Sequence, residues 1–141
     1  MKKPTSPIKI VFFDIDYTLY IKDEARIPTS ITEQVLPRLK AKGIIPAIAT
    51  GRNYEGFPEA LKPLMNENGF ELFVTINGQD NLYQGKQISD YRLSVQRIQQ
   101  AVEKLEKLGI AYAFVSRKAI AVSENSEIVW NATSPITKDY I

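Results

Sequence analysis

Two carboxylates, Asp14 and Asp16, stand two residues apart at the end of an apolar run, Ile10-Val11-Phe12-Phe13. The run is short and rich in β-branched and aromatic residues, which suits a buried strand of a parallel sheet. Residues two apart in an extended chain share a side, so the two acids converge where the strand ends. Like charges held together are unfavourable unless one is protonated or a cation lies between them. The chemistry on offer is a metal site or a carboxylate nucleophile. The plain alternative is a turn, where Asp is common. Thr18 and Leu19 follow without the Gly or Pro of a tight turn, which favours the functional reading.

The rest of the composition narrows that chemistry. The chain holds no cysteine and no histidine. Without histidine, hydrolytic work falls to carboxylates, hydroxyls, Lys or Arg. Any metal must accept oxygen ligands, which points to Mg²⁺ or a similar hard cation. Without cysteine there are no disulfides and no thiol chemistry, as fits a reducing compartment. The net charge of +2, from 18 basic and 16 acidic residues, is too small to argue for nucleic acid or an anionic membrane. No segment approaches the roughly 20 apolar residues of a membrane span, and no signal-peptide pattern follows Lys2 and Lys3. A cytoplasmic protein is expected.

The elements that must position the acids follow in order. With 141 residues, 44% hydrophobic and 24% charged, the chain has the balance of one ordinary globular domain. Met1–Pro7 reads as a loose leader and Ile8–Phe13 as the first strand. Ser30-Ile31-Thr32-Glu33 has the pattern of a capping box and opens a helix that Gly43 closes. Pro37 inside that helix costs about 3 kcal/mol or forces a kink. Ile44–Ala49 is a second apolar strand ending in Thr50-Gly51-Arg52. A hydroxyl and free backbone N–H groups there suit an anion; a connecting turn that needs glycine explains the same three residues. Asn53–Met65 is a broken helical stretch, interrupted by Pro58 and Pro63. Glu71–Ile76 is a third strand ending in Asn77-Gly78, itself a turn signal. A hairpin over Leu82–Tyr91 turns at Gln84-Gly85-Lys86. Ser94–Leu108 has helical spacing and stops at Gly109. Short strands follow at Ile110–Val115, Lys118–Val122 and Glu127–Trp130, then a polar tail. The class is α/β.

Asp14-Ile15-Asp16-Tyr17-Thr18-Leu19 after an apolar strand resembles the first motif, D-x-D-x-T-[LV], of the haloacid dehalogenase-like phosphohydrolase superfamily. The strand ending in Thr50-Gly51-Arg52 resembles its second motif, in the form typical of the Cof-like branch, which acts mostly on small phosphorylated metabolites. Asn77-Gly78 after the third strand is similar to that branch as well. The resemblance implies part of a Rossmann-like parallel-sheet core over residues 1–81 and the beginning of an α/β cap over residues 82–141. It implies a Mg²⁺-dependent phosphoric monoester hydrolase working through an aspartyl-phosphate. Asp14 would be the nucleophile and Asp16 the proton donor and acceptor. Both would hold Mg²⁺, Asp16 through its backbone carbonyl. Thr50 and Gly51 would bind the phosphate, while Thr18, Arg52 and Asn77 would border the substrate cleft.

Position 17 departs from the pattern, with Tyr where the superfamily usually has Gly. The superfamily's third motif, a Lys, and its fourth, an acidic pair, follow the cap. Asp80, Asp90 and Asp139 do not replace the acidic pair. This chain reaches Ile141 within the cap region, so weak or absent activity is expected of it. Two other functions compete. A receiver-like phospho-acceptor module is disfavoured because such modules carry the acid at the end of the third strand, where this chain has Thr75-Ile76-Asn77-Gly78. A non-catalytic truncated fold would act in protein association, with self-association through unpaired cap strands.

Overall fold

Three apolar runs and a hairpin supply one five-stranded sheet. In a computed structural model that describes residues 7–134, the strands β1 (Ile10–Phe13), β2 (Ile45–Ala49), β3 (Leu72–Thr75), β4 (Asp80–Tyr83) and β5 (Lys86–Asp90) lie side by side in that order. β1, β2 and β3 are parallel, with Phe13 opposite Ile48 and Ile48 opposite Phe73. β4 and β5 are antiparallel additions. The carboxyl ends of the three parallel strands therefore share one edge of the sheet, the usual place for a ligand site in such folds. The leader through Ser6 and the tail beyond Ser134 lie outside the described residues.

β1 differs from the fully buried strand expected of its composition. Ile10 and Phe12 are exposed while Val11 and Phe13 are half-buried. Alternate residues point to opposite faces, so Ile10 and Phe12 lie on a face left open at this strand and Val11 and Phe13 on the covered one; β1 also stands at the sheet's edge, with β2 as its single neighbour among the described strands. β2 sits between two strands and is buried through Pro46, Ala47 and Ile48. Pro46 is tolerated there because its carbonyl, not the N–H it lacks, makes the first rung towards β3, accepting from Glu71.

The helix before β2 changes its winding where its proline falls. Helical residues run without a break from Thr29 to Ala41, π-type over Ile31–Val35 and α over α1 (Leu36–Ala41), so Pro37 lies inside the helix, just after the stretch where the i→i−4 ladder is replaced. The expected capping box does not form. Ser30 is itself helical and its side chain caps nothing, while the Thr32 hydroxyl donates to the Thr29 carbonyl. At the other end Gly43 is left-handed (φ 64), with Gly43 N–H on the Lys40 carbonyl and Ile44 N–H on the Leu39 carbonyl. That pair of bonds is a Schellman closure.

The core lies between the sheet and the segments flanking α1. Ile15, Leu19, Leu36, Ile48, Phe57, Leu61, Phe70, Phe73 and Leu82 form one buried cluster, with Phe13 edge-on to Phe70 at 5.7 Å. The β4–β5 turn is a two-residue one with Gln84 (φ 47) and Gly85 (φ 75) both left-handed, the geometry that matches strand twist. Beyond it come the helix α2 (Val95–Lys107), capped by Ser94, and the hairpin β6 (Ala113–Val115) and β7 (Ile120–Val122). Glu127–Trp130 is not a strand. It opens the helix α3 (Glu127–Thr133), where the Ser126 hydroxyl accepts from Val129 N–H at 3.4 Å. An N-cap serine overrides the strand preference of Ile128, Val129 and Trp130. No described helix is long and apolar enough to cross a membrane.

Candidate active site

Ile15 organises the acid-bearing turn. Its side chain is fully buried and its carbonyl accepts from the N–H groups of Thr18, Leu19 and Tyr20. The residues on either side point away from the core: Asp14 is exposed and Asp16 is half-buried. The tight wrap forces Tyr17 into the left-handed region at φ 59, with its ring 80% exposed. That is a conformation suited to glycine and strained for an aromatic residue.

The loop after β2 meets this turn through Arg52. The Arg52 guanidinium grips Asp16 with two bonds, Nε to Oδ2 at 2.8 Å and Nη2 to Oδ1 at 2.7 Å, and gives Nη1 to the Gly56 carbonyl at 2.9 Å. Arg52 is only 7% exposed. Its hydrogen bonds hold the Asp16 carboxyl below the ordinary carboxylate range, against the opposing cost of burial, with further help from the charges of Arg52 and Lys22. The Thr50 hydroxyl is buried and accepts from Arg52 N–H at 3.2 Å, which leaves its own proton available to an anion.

The end of β3 closes the third side. Ile76 (φ 49) and Asn77 (φ 54) are both left-handed, an unusual state for a β-branched residue. Two bonds hold it: Ile76 N–H to the Arg52 carbonyl at 3.0 Å and Asn77 N–H to the Thr50 carbonyl at 3.1 Å. The Asn77 side chain lies over Gly51, where a Cβ would meet Asn77 Oδ1 at 3.3 Å. Strain of this kind, fixed by its surroundings, gathers at functional sites.

The structure thus joins Asp16, Thr50, Gly51, Arg52 and Asn77 by direct contacts. Asp14 stands beside them at the end of β1, and its carboxylate enters no ion pair among the described residues. Thr18 is exposed on the same turn, and its backbone N–H donates to the Ile15 carbonyl. Sequence reasoning passed over Asn53 and Gly56, which hold Arg52 in place. It also passed over the pairing of Asp80 with Arg117, which no short motif announces.

The oxygen donors fit a hard cation in kind. The Asp14 carboxylate and the Asp16 backbone carbonyl are the groups that would hold Mg²⁺, because Arg52 occupies the Asp16 carboxylate. They supply part of a shell: among the described residues no three His, Cys, Asp or Glu side chains gather as a metal site. Two open clefts, of about 630 and 620 Å³, lie elsewhere, the second between β5, α2 and the β6–β7 hairpin, and neither is lined by Asp14, Asp16 or Thr50.

Comparison with known proteins shows the family and the fold. Residues 11–140 match the family model of the haloacid dehalogenase-like hydrolases, and the chain belongs to that family. It is 30% identical over 135 residues to a Streptococcus pyogenes protein named as a bifunctional phosphatase/peptidyl-prolyl cis-trans isomerase, covering 94% of this chain and 27% of that protein. It is 36% identical over 80 residues to a Bacillus subtilis protein named as the phosphatase YkrA, covering 57% of this chain and 29% of that one. Among solved structures, the subclass IIB sugar phosphatase BT4131 superposes with a TM-score of 0.71 at 30% identity, over 91% of this chain and 48% of that one. A hypothetical protein of Geobacillus kaustophilus superposes with a TM-score of 0.73 at 29% identity, over 92% and 48%. The chain therefore spans under a third of the curated relatives' length and about half of these solved chains. Its sheet corresponds to part of their Rossmann-like core.

Proposed function

We propose that the chain carries the nucleophile and phosphate-binding half of a phosphomonoesterase site for small phosphorylated metabolites. The observation that supports it best is the convergence of three strand ends: Asp14 and Asp16 after β1, Thr50–Arg52 after β2 and Asn77 after β3. In this reading residues 1–81 supply the acids and the phosphate cradle, and residues 82–141 begin the cap.

The Asp14 carboxylate attacks phosphorus and the ester P–O bond breaks, leaving an aspartyl-phosphate. The departing alkoxide takes a proton from Asp16. Water then attacks the phosphorus, Asp16 recovers a proton from it, and inorganic phosphate leaves with Asp14 restored. Bound Mg²⁺ would offset the negative charge shared by Asp14 and the phosphoryl oxygens. The Thr50 hydroxyl and the backbone N–H of Gly51 hold the phosphoryl oxygens, while Arg52 and Asn77 border the substrate.

The Arg52 grip bears on rate. It keeps Asp16 ionised, which suits the water-activating step and opposes the protonation that the first step needs. Together with the partial Mg²⁺ shell, this leads us to expect slow turnover from the 141-residue chain. The test is hydrolysis of p-nitrophenyl phosphate with Mg²⁺. The reading predicts a weak signal that Asp14→Asn abolishes; a signal that survives Asp14→Asn contradicts it.

A further inference from the structure

The β6–β7 turn lies against the loop that carries Arg52, and the contact is polar on both sides. Asn53 Nδ2 donates to the Ser116 carbonyl at 2.9 Å, and Glu55 N–H donates to the Arg117 carbonyl at 3.3 Å. The turn is braced internally, with the Ser116 hydroxyl on the Ala119 carbonyl at 3.0 Å. It is also bolted to the core sheet. Arg117 grips Asp80 of β4 with Nε to Oδ2 at 2.7 Å and Nη2 to Oδ1 at 2.5 Å, and Gln87 of β5 adds a bond to Asp80 Oδ1 at 2.7 Å. Asp80 is 6% exposed, while the Arg117 side chain keeps a third of its surface in water.

From Asn53 the contacts continue without a gap. Asn53 Oδ1 accepts from Gly56 N–H at 3.1 Å, the Gly56 carbonyl accepts from Arg52 Nη1 at 2.9 Å, and Arg52 holds Asp16 by its other two nitrogens. Asn53 is 5% exposed, and its amide is used at both ends, one for the cap turn and one for the loop. A side chain that only closed its own loop would need the second bond alone.

The geometry points to Asn53 as a positioning residue that couples docking of the β6–β7 turn to the orientation of Arg52, and through it to Asp16. The inference rests on the reading of Asp16 as a residue of the active site. When the turn is seated, Gly56 is held and Arg52 has a fixed third anchor, so the fork stays on Asp16. When the turn lifts, Gly56 loses that support, Arg52 is less constrained and its fork on the Asp16 carboxylate loosens. The turn thus reports the state of the cap to the acid 100 residues earlier without touching it.

The test follows the Arg52 Nε–H resonance in the ¹⁵N-labelled 141-residue chain by NMR, with the sheet amides of Ile48 and Phe73 as internal references. Two variants carry it, Asn53→Ala and Arg117→Gln. Loss of one such bond should speed solvent exchange at Arg52 Nε by about fivefold or more and move its chemical shift, while the reference amides hold. Arg117→Lys should restore slow exchange in part. Should Asn53→Ala fold poorly, Arg117→Gln decides alone, since Arg117 bonds to neither Arg52 nor Asp16. Unchanged exchange in Arg117→Gln overturns the proposal, even if Asn53→Ala responds, because the effect is then confined to the loop. The readout needs no turnover, so an unreactive Asp14 would sink the phosphatase reading and leave this result intact.

Discussion

Tyr17 occupies a left-handed backbone position that the turn between Asp16 and Thr18 requires. The cost for a residue with a Cβ is about 1 kcal/mol. Its ring is exposed and contributes little burial in return. Tyr17→Gly should therefore stabilise the chain by about 1 kcal/mol, read as a higher urea midpoint at unchanged slope; an unchanged or lower midpoint would contradict the strain. The departure at position 17 was legible in the sequence, but its meaning needed the backbone angle. Asp14, Asp16 and Thr50 were legible for a simple reason: each lies at or just beyond the end of an apolar run, and such runs become strands. The Arg52 grip on Asp16 was not. The two are 36 residues apart, and which way a long side chain turns depends on Asn53 and Gly56 folding the loop back.

Among elements, the Arg117–Asp80 contact links β4 to the β6–β7 turn. Arg117→Ala takes two hydrogen bonds from the Asp80 carboxylate and leaves it Gln87 and water from the adjoining cleft, at a cost of about 1–2 kcal/mol. Chemical denaturation at neutral pH measures it. The same pair makes stability depend on acid. Hydrogen bonds from Arg117 hold the Asp80 carboxyl below its ordinary value, against burial and with help from Gln87. A depressed folded-state value means that the unfolded chain binds the proton more readily, so stability falls as pH falls. The contribution is complete above about pH 4, the unfolded carboxylate value, and is lost as pH drops through the folded one. Asp80→Asn should flatten urea midpoints measured below about pH 4; a slope equal to the parent's would contradict the pairing. Helices and strands were legible where period and caps agreed, as at α2 with Ser94 and Gly109. Glu127–Trp130 misled because Ile128, Val129 and Trp130 favour strands, and the Ser126 cap decided otherwise.

At the scale of the whole molecule the sheet is lopsided. β1 has one neighbour among the described strands and shows solvent a row of Ile8, Ile10 and Phe12, at 54%, 36% and 51% exposure. An apolar edge of this sort recruits other chains. We propose that this exposed apolar strand supports self-association of the 141-residue chain, and Phe12→Lys should then reduce it. Light scattering across a concentration series checks this, and a concentration-independent monomer would count against it. β1's open side could not be read from composition, since an apolar run looks the same at the edge and in the middle of a sheet.

Asp14 is the group proposed to take the phosphoryl, and mapping a covalent phosphate tests that role most directly. Incubation of the chain with acetyl phosphate and Mg²⁺, followed by quenching in acid and peptide mass spectrometry, should place the label on Asp14 and find none in Asp14→Asn. Label on another residue, or label that persists in Asp14→Asn, would contradict it.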